Sequence, residues 1–186
     1  MGHGGNVIDE LTTDHREVEE YFGRLRALPV GHKDRRTVVD EITIELVRHS
    51  VAEEMYLYPA VREHLPGGDA LADKEIQDHA EVERVLKDLE SRDVDHPEFE
   101  VLVQKLINDV TEHVMEEEQQ LFPSLTQVCT PEQLDKLGAQ VRRAKAVAPT
   151  RPHPGAPDTP PGNKLLAPGA GLVDRVRDFV TGRGKS

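Results

Sequence analysis

The sequence predicts an all-α fold: an up-down-up-down four-helix bundle with a short fifth helix, then a Pro-rich linker and a C-terminal amphipathic helix. Three observations carry this. Apolar residues recur every three or four positions along four long stretches. Short breaks containing Gly, Pro or Asp separate those stretches, as neighbouring antiparallel helices require. Aromatic residues make up only 4% of the chain, with no Trp, which is low for a β-sandwich and ordinary for a helical bundle.

The elements follow in order. Ile8, Leu11, His15, Val18, Phe22 and Leu25 form the stripe of a first helix that stops before Pro29. Val38, Val39, Ile42, Leu46, His49, Glu53, Tyr56 and Ala60 mark a second, from Asp34 to about Leu65. Ala72, Ile76, His79, Val82, Leu86 and Leu89 mark a third after the Gly67-Gly68 break. Phe99, Leu102, Leu106, Val110, His113, Glu117 and Leu121 mark a fourth, with Pro97 in its first turn. Thr130-Pro131-Glu132-Gln133 is a capping-box pattern that opens the short fifth helix. Composition then shifts. Residues 149–163 hold six prolines and little to bury, an extended linker. Leu172, Val173, Val176, Phe179 and Val180 return to helical spacing among Asp174, Arg175, Arg177 and Asp178, a short amphipathic helix. The chain therefore divides into a bundle, 1–148, and an appendage, 149–186.

Charge divides in the same way. The 186 residues carry a net charge of −12, and the segment from 149 onward has six Lys/Arg against three Asp/Glu. A basic tail on an acidic body docks back on it, docks on a second copy, or frays, and the expected state is a monomer or weak homodimer. The acidic balance excludes unspecific nucleic-acid binding, which needs concentrated positive charge. No run approaches the ~20 apolar residues of a membrane span. The N-terminus lacks a basic and apolar secretory pattern, so the cytoplasm is the expected compartment. A single cysteine, Cys129, excludes an internal disulfide framework and a Cys-based zinc cluster, and it reads as an inert buried thiol.

The chemistry lies in what interrupts the apolar stripes. His15, His49, Glu53, His79, His113 and Glu117 occupy inward positions where a bundle wants Leu or Val. One such histidine is usually a hydrogen-bonded core residue. Six polar groups aimed into one bundle need a common partner, because an unpaired buried charge costs several kcal/mol. The chain also repeats itself. His15 and His79, His49 and His113, and Glu53 and Glu117 each stand 64 positions apart. DHREVE at 14–19 matches DHAEVE at 78–83, and HSVAEEMYLYP at 49–59 matches HVMEEEQQLFP at 113–123. Each copy gives a lone His and a His-x-x-x-Glu, whose two side chains share one helix face. Four imidazoles and two carboxylates form a mixed N/O set, better suited to iron or manganese than to zinc or calcium.

Over residues 7–128 this order of His, His-x-x-x-Glu, His, His-x-x-x-Glu resembles the hemerythrin-like, or HHE cation-binding, family of non-haem di-iron four-helix bundles. The resemblance implies two iron ions, oxo- or hydroxo-bridged. It also implies His15, His49, His79 and His113 as terminal ligands and Glu53 and Glu117 as bridges. Oxygen-carrying members have a His-x-x-x-His where this chain has His79 and Glu83. The set is therefore carboxylate-rich, which favours the ferric state over reversible oxygen carriage. Glu83 reads as a ligand, an acceptor orienting an imidazole, or a solvated residue.

The repeat is broken at Tyr56, whose mate is Gln120. On an ideal α-helix Tyr56 lies one turn beyond Glu53 on its face. There it would ligate iron, donate a hydrogen bond to a bound oxygen species and relay catalytic protons, or pack in the core. Tyr58 reads as packing and Glu54 and Glu118 as flank residues, with Glu54 a possible extra ligand. Pro59 and Pro123 should kink their helices by removing amide partners of the Met55 and Gln119 carbonyls. His3, His32, His64, His96 and His153 read as solvated. Carboxylate-richer, actinobacterial-looking members of the family are linked to catalase-like disproportionation of hydrogen peroxide. That makes a redox enzyme in oxidative stress the first expectation for this chain. A module that binds iron, dioxygen or nitric oxide without turnover, and a bundle whose metal serves only folding, are the alternatives.

Overall fold

In the computed structural model, which describes residues 4–183, Asn6 accepts hydrogen bonds from Ile8 N and Asp9 N and opens α1 (Val7–Ala27). The helix ends before Pro29, which disfavours helical dihedrals in the residue before it. α2 (Asp34–Ala52) passes through a π-helical turn, Glu53–Leu57, into α3 (Tyr58–His64) as one rod. Gly67, at φ +71° in the left-handed region, turns the chain into α4 (Gly68–Glu90). α5 (Pro97–Glu116) passes through a second π turn, Glu117–Leu121, into α6 (Phe122–Val128). α7 (Pro131–Val147) and α8 (Gly162–Thr181) complete the chain. His3 lies outside the described residues, while His32 and His96 accept from the backbone at the starts of α2 and α5.

Contacts at the rod ends give the directions. Arg35 at the start of α2 donates to the Leu25 and Leu28 carbonyls at the end of α1, while His49 near its far end meets Asp14. Likewise Arg36 donates to Leu89 O and Glu54 meets His79, so α2 and α4 are antiparallel. Two apolar clusters fill the bundle. One contains Phe22, Ile42, Leu86, Phe99 and Leu106; the other contains Leu11, Leu57, Tyr58, Leu121 and Leu125. The polar layer of histidines and glutamates lies between them along every rod. Each buried Leu or Phe contributes roughly 1.5–3 kcal/mol, and these clusters hold the four rods in register around that layer.

Two expectations need correction. The fifth helix is not short: α7 runs for 17 residues and packs Leu134, Gly138, Val141 and Ala144 against the bundle. A Cβ on Gly138 would come within 2.8 Å of Gly5 O, so only glycine permits this approach. Nor is 149–163 a free linker before a short helix: α8 already begins at Gly162 and runs for 20 residues, and the start of the segment is tied down. Asp174 of α8 accepts from the Thr150 and Arg151 amides at 3.1 Å each, and Asp178 pairs with Arg151 at 2.6 Å. Arg151 also pairs with Glu90, and the His153 amide donates to Glu83 at 2.8 Å. α8 therefore turns its acidic face inward. Val173, Val176, Phe179 and Val180 face outward, Phe179 being 72% exposed. The reason is energetic: buried peptide amides and an arginine need acceptors, and the two aspartates provide them.

Candidate metal centre

The i, i+4 spacing puts His49 with Glu53 on one face of its rod and His113 with Glu117 on another, while α1 and α4 supply His15 and His79. All six residues are buried, the two glutamates completely. The Nε2 atoms of His49 and His79 lie 3.0 and 3.3 Å from Glu53 Oε2. Those of His15 and His113 lie 3.3 and 3.7 Å from Glu117 Oε2. Each glutamate thus stands between histidines of two different helices. Their ligand atoms fall into overlapping groups, His15/His49/Glu53/Glu117 and Glu53/His79/His113, which share Glu53.

The other ring nitrogen of each histidine meets a carboxylate. His15 Nδ1 lies 2.8 Å from Glu118, His49 Nδ1 3.1 Å from Asp14, His79 Nδ1 3.1 Å from Glu54 and His113 Nδ1 2.9 Å from Glu75. The hydrogen-bonded partners of His15, His49 and His79 fix the ring orientation and leave Nε2 as the inward donor to a metal, while the His113–Glu75 contact is a close ion pair without hydrogen-bond geometry. The sequence reading missed Asp14 and Glu75 and placed Glu54 and Glu118 on the flanks. The signal was available for the last two, which keep the 64-residue spacing. It was not available for Glu75. Asp78, the repeat mate of Asp14, pairs with Lys74, and Glu75 from the previous turn takes its place beside His113. Glu83 accepts from the His153 amide.

The electrostatics reflect the crowding of carboxylates. Burial opposes the charged form of His49, but Glu53 and Asp14 raise its pKa well above the ordinary histidine value. Burial likewise opposes protonation of His79, yet Glu53 and Glu54 push its pKa up to about 10. Burial works against ionisation of Glu53 as well, and His49 and His79 overcome it to hold the carboxyl well below the usual range. Glu54 moves the other way, raised chiefly by its own burial.

The two π turns decide which aromatic residue reaches this layer. Pro59 and Pro123 cannot donate to a preceding carbonyl, and just before each the backbone switches to i→i+5 bonding. Tyr58 N bonds Glu53 O, and Phe122 N bonds Glu117 O. The residue above Glu53 is then Tyr58. Its hydroxyl lies 3.0 Å from His79 Nε2, 3.2 Å from Glu117 Oε1 and 3.5 Å from Glu53 Oε2. Burial and the neighbouring carboxylates raise its pKa well above that of an ordinary phenol, so the hydroxyl is a donor. Tyr56 is turned away: it is half-buried, with the Lys164 ammonium 4.5 Å from its ring centroid. The expectation that Tyr56 faces the site is therefore corrected to Tyr58. The broken symmetry is phenol against phenyl, because the mate of Tyr58 is Phe122, stacked on His15 at 5.7 Å.

The residues fit a metal. His15 Nε2, Glu53 Oε1 and Glu117 Oε2 are buried without a hydrogen-bond partner, and they converge on the same layer. A buried ring nitrogen and two carboxylate oxygens left in this way call for a cation between them. Imidazole and carboxylate donors together suit a transition-metal cation.

Comparison with known proteins agrees with this geometry. Residues 6–125 match the model of the hemerythrin HHE cation-binding domain. The chain is 27% identical over 178 residues to an uncharacterised hemerythrin-like protein of Schizosaccharomyces pombe, covering 94% of this chain and 86% of that one. It is 30% identical over 142 residues to a DNA nickase of a Nostoc species, covering 76% of this chain but only 39% of the nickase. Among solved structures it resembles a hemerythrin HHE cation-binding domain-containing protein from Mycobacterium kansasii. That match has a TM-score of 0.65 and 23% identity, and covers 76% of this chain and 88% of the other.

Proposed function

The chain belongs to the hemerythrin HHE cation-binding family, and we propose that its buried layer holds two iron ions and decomposes hydrogen peroxide. The observation that carries this reading is the set of orphaned inward atoms on His15, Glu53 and Glu117, arranged with the other three histidines about a pseudo-two-fold axis. His15, His49, His79 and His113 would hold the ions through Nε2, and Glu53 and Glu117 through their carboxylates. Iron held there would offer redox chemistry, accepting two electrons from one peroxide and returning two to a second.

The chain's own residues do the rest. Asp14, Glu54 and Glu118 hold three of the imidazoles by Nδ1, so that their Nε2 atoms need no reorientation when a ligand arrives, and Glu75 lies 2.9 Å from the Nδ1 of the fourth, His113. The apolar clusters on either side keep bulk water out of the layer. Tyr58 Oη, within reach of Glu117 and His79, is the hydroxyl placed to hand a proton to a substrate and recover it.

The test is elemental analysis after iron-replete expression, followed by oxygen evolution from peroxide. Two irons per chain and catalytic oxygen release are expected, and His49→Ala and His113→Ala should each lose iron. One zinc per chain would overturn the di-iron reading. Two irons without oxygen release would overturn the peroxide reaction.

A further inference from the structure

The internal repeat lets one half of the bundle serve as a control for the other. In the first half Arg16 lies between two carboxylates, with Nη1 2.5 Å from Glu19 Oε1 and Nη2 on Glu118. Sixty-four positions away stand Ala80 for Arg16, Glu83 for Glu19 and Glu54 for Glu118. Glu54 holds His79 as Glu118 holds His15. The second half thus keeps both carboxylates and lacks the cation that joins them. Among the described residues no Lys or Arg side chain pairs with Glu54 or Glu83, and Glu83 accepts only the His153 amide.

Space opens at the same place. A cavity of about 700 Å³ lies between α2, α4 and the segment from 149 to 170, and Ala80, Glu54, Glu83 and His79 line it. The matching recess beside Arg16 is only about 130 Å³. Val47, Val51, Ile76, Val82, Leu165 and Leu166 make the walls of the larger cavity mostly apolar. Asn163, 4% exposed and also lining the cavity, has a buried side-chain oxygen with no hydrogen-bond partner. The basic groups in the lining are already engaged: Arg151 pairs with Glu90 and Asp178, and His153 Nε2 lies 2.9 Å from Asp174. An acceptor-rich floor, apolar walls and a volume within the usual ~300–1,000 Å³ of small-molecule sites describe one kind of ligand.

We propose that this cavity binds an organic cation, an ammonium or guanidinium head on an apolar body, with the head between Glu54 and Glu83. The head occupies the place that Arg16 fills in the other half, and the body lies along the α2, α4 and α8 walls. A guanidinium can pair in two-pronged fashion with a carboxylate as Arg16 does, whereas an ammonium acts as a point charge. Binding depends on the protein walls and carboxylates and not on occupancy of the metal layer.

Octylammonium and octylguanidinium, titrated calorimetrically into the full chain with and without iron, test this and distinguish the two heads. At least one should bind at a single site per chain in both forms. Octanoate, of equal length and opposite charge, should bind at least about tenfold more weakly. Ala80→Arg transplants the first half's cation into the second; it should abolish binding and melt above the parent protein. Glu83→Gln keeps the shape and the acceptor for His153 and should weaken binding about tenfold, so it decides the matter if Ala80→Arg does not fold. Octanoate binding as tightly as the cations, or cation binding undiminished in Ala80→Arg or Glu83→Gln, would overturn the proposal.

Discussion

Tyr58→Phe removes one oxygen from the centre of the polar layer and leaves the ring volume in place, so no cavity accompanies the change. The lost hydroxyl lies 3.2 Å from Glu117 Oε1 and 3.0 Å from His79 Nε2 in a fully buried setting. A hydrogen bond to a charged partner contributes about 1.5–3 kcal/mol, and the carboxylate left behind keeps its desolvation cost. For a chain of this size each kcal/mol shifts Tm by about 2–4 °C, so the metal-free variant should melt about 3–12 °C lower. Tyr56→Phe is the control. It keeps the face that Lys164 covers, lies outside the polar layer, and should change stability by less than about 0.5 kcal/mol. Thermal denaturation followed by circular dichroism, with chelator present, reads both variants. Spectra of the iron-loaded proteins extend the comparison: any phenolate-to-iron absorption should vanish in Tyr58→Phe and survive in Tyr56→Phe. If Tyr56→Phe loses more stability or the absorption, the π-turn argument is wrong.

Three further outcomes follow from the same geometry. Glu118→Gln frees the imidazole of His15, and competition titration should show metal affinity reduced about 10–100-fold, with near-parent affinity refuting a positioning role. In the metal-free chain the folded pKa of His79, raised to about 10, exceeds the unfolded value near 6.5. Its stabilising contribution is complete below about pH 6.5 and lost as pH rises toward 10, so Tm should fall over that window; a flat profile would contradict the ion pairing with Glu53 and Glu54. Asp174→Ala deletes the acceptor for the Thr150 and Arg151 amides and for His153, and limited proteolysis should then cut the 152–161 segment much faster than in the parent chain.

Much of this protein was legible in the order of its residues. The 3.6-residue period identified the buried face of each rod, and the polar residues on that face were the six that the fold brings together. Burial makes polarity on a core stripe conspicuous, and an internal repeat makes it countable. The capping box at Thr130 and the breaks at Pro29 and Gly67 were equally readable, because they act through local backbone chemistry. What the tertiary structure alone decided lay beyond that period. A π turn before each proline moves every later side chain off its α-helical phase, so Tyr58 and not Tyr56 enters the layer. The prolines were visible, but whether the backbone would kink or change its bonding pattern depended on packing around them. The carboxylates behind the histidines come from different helices, and only the crossing of those helices selected Glu75 over Asp78. α8 shows the same limit most plainly. Its amphipathic pattern is evident in sequence, yet its acidic face turns inward because buried amides of a distant segment and Arg151 required acceptors there.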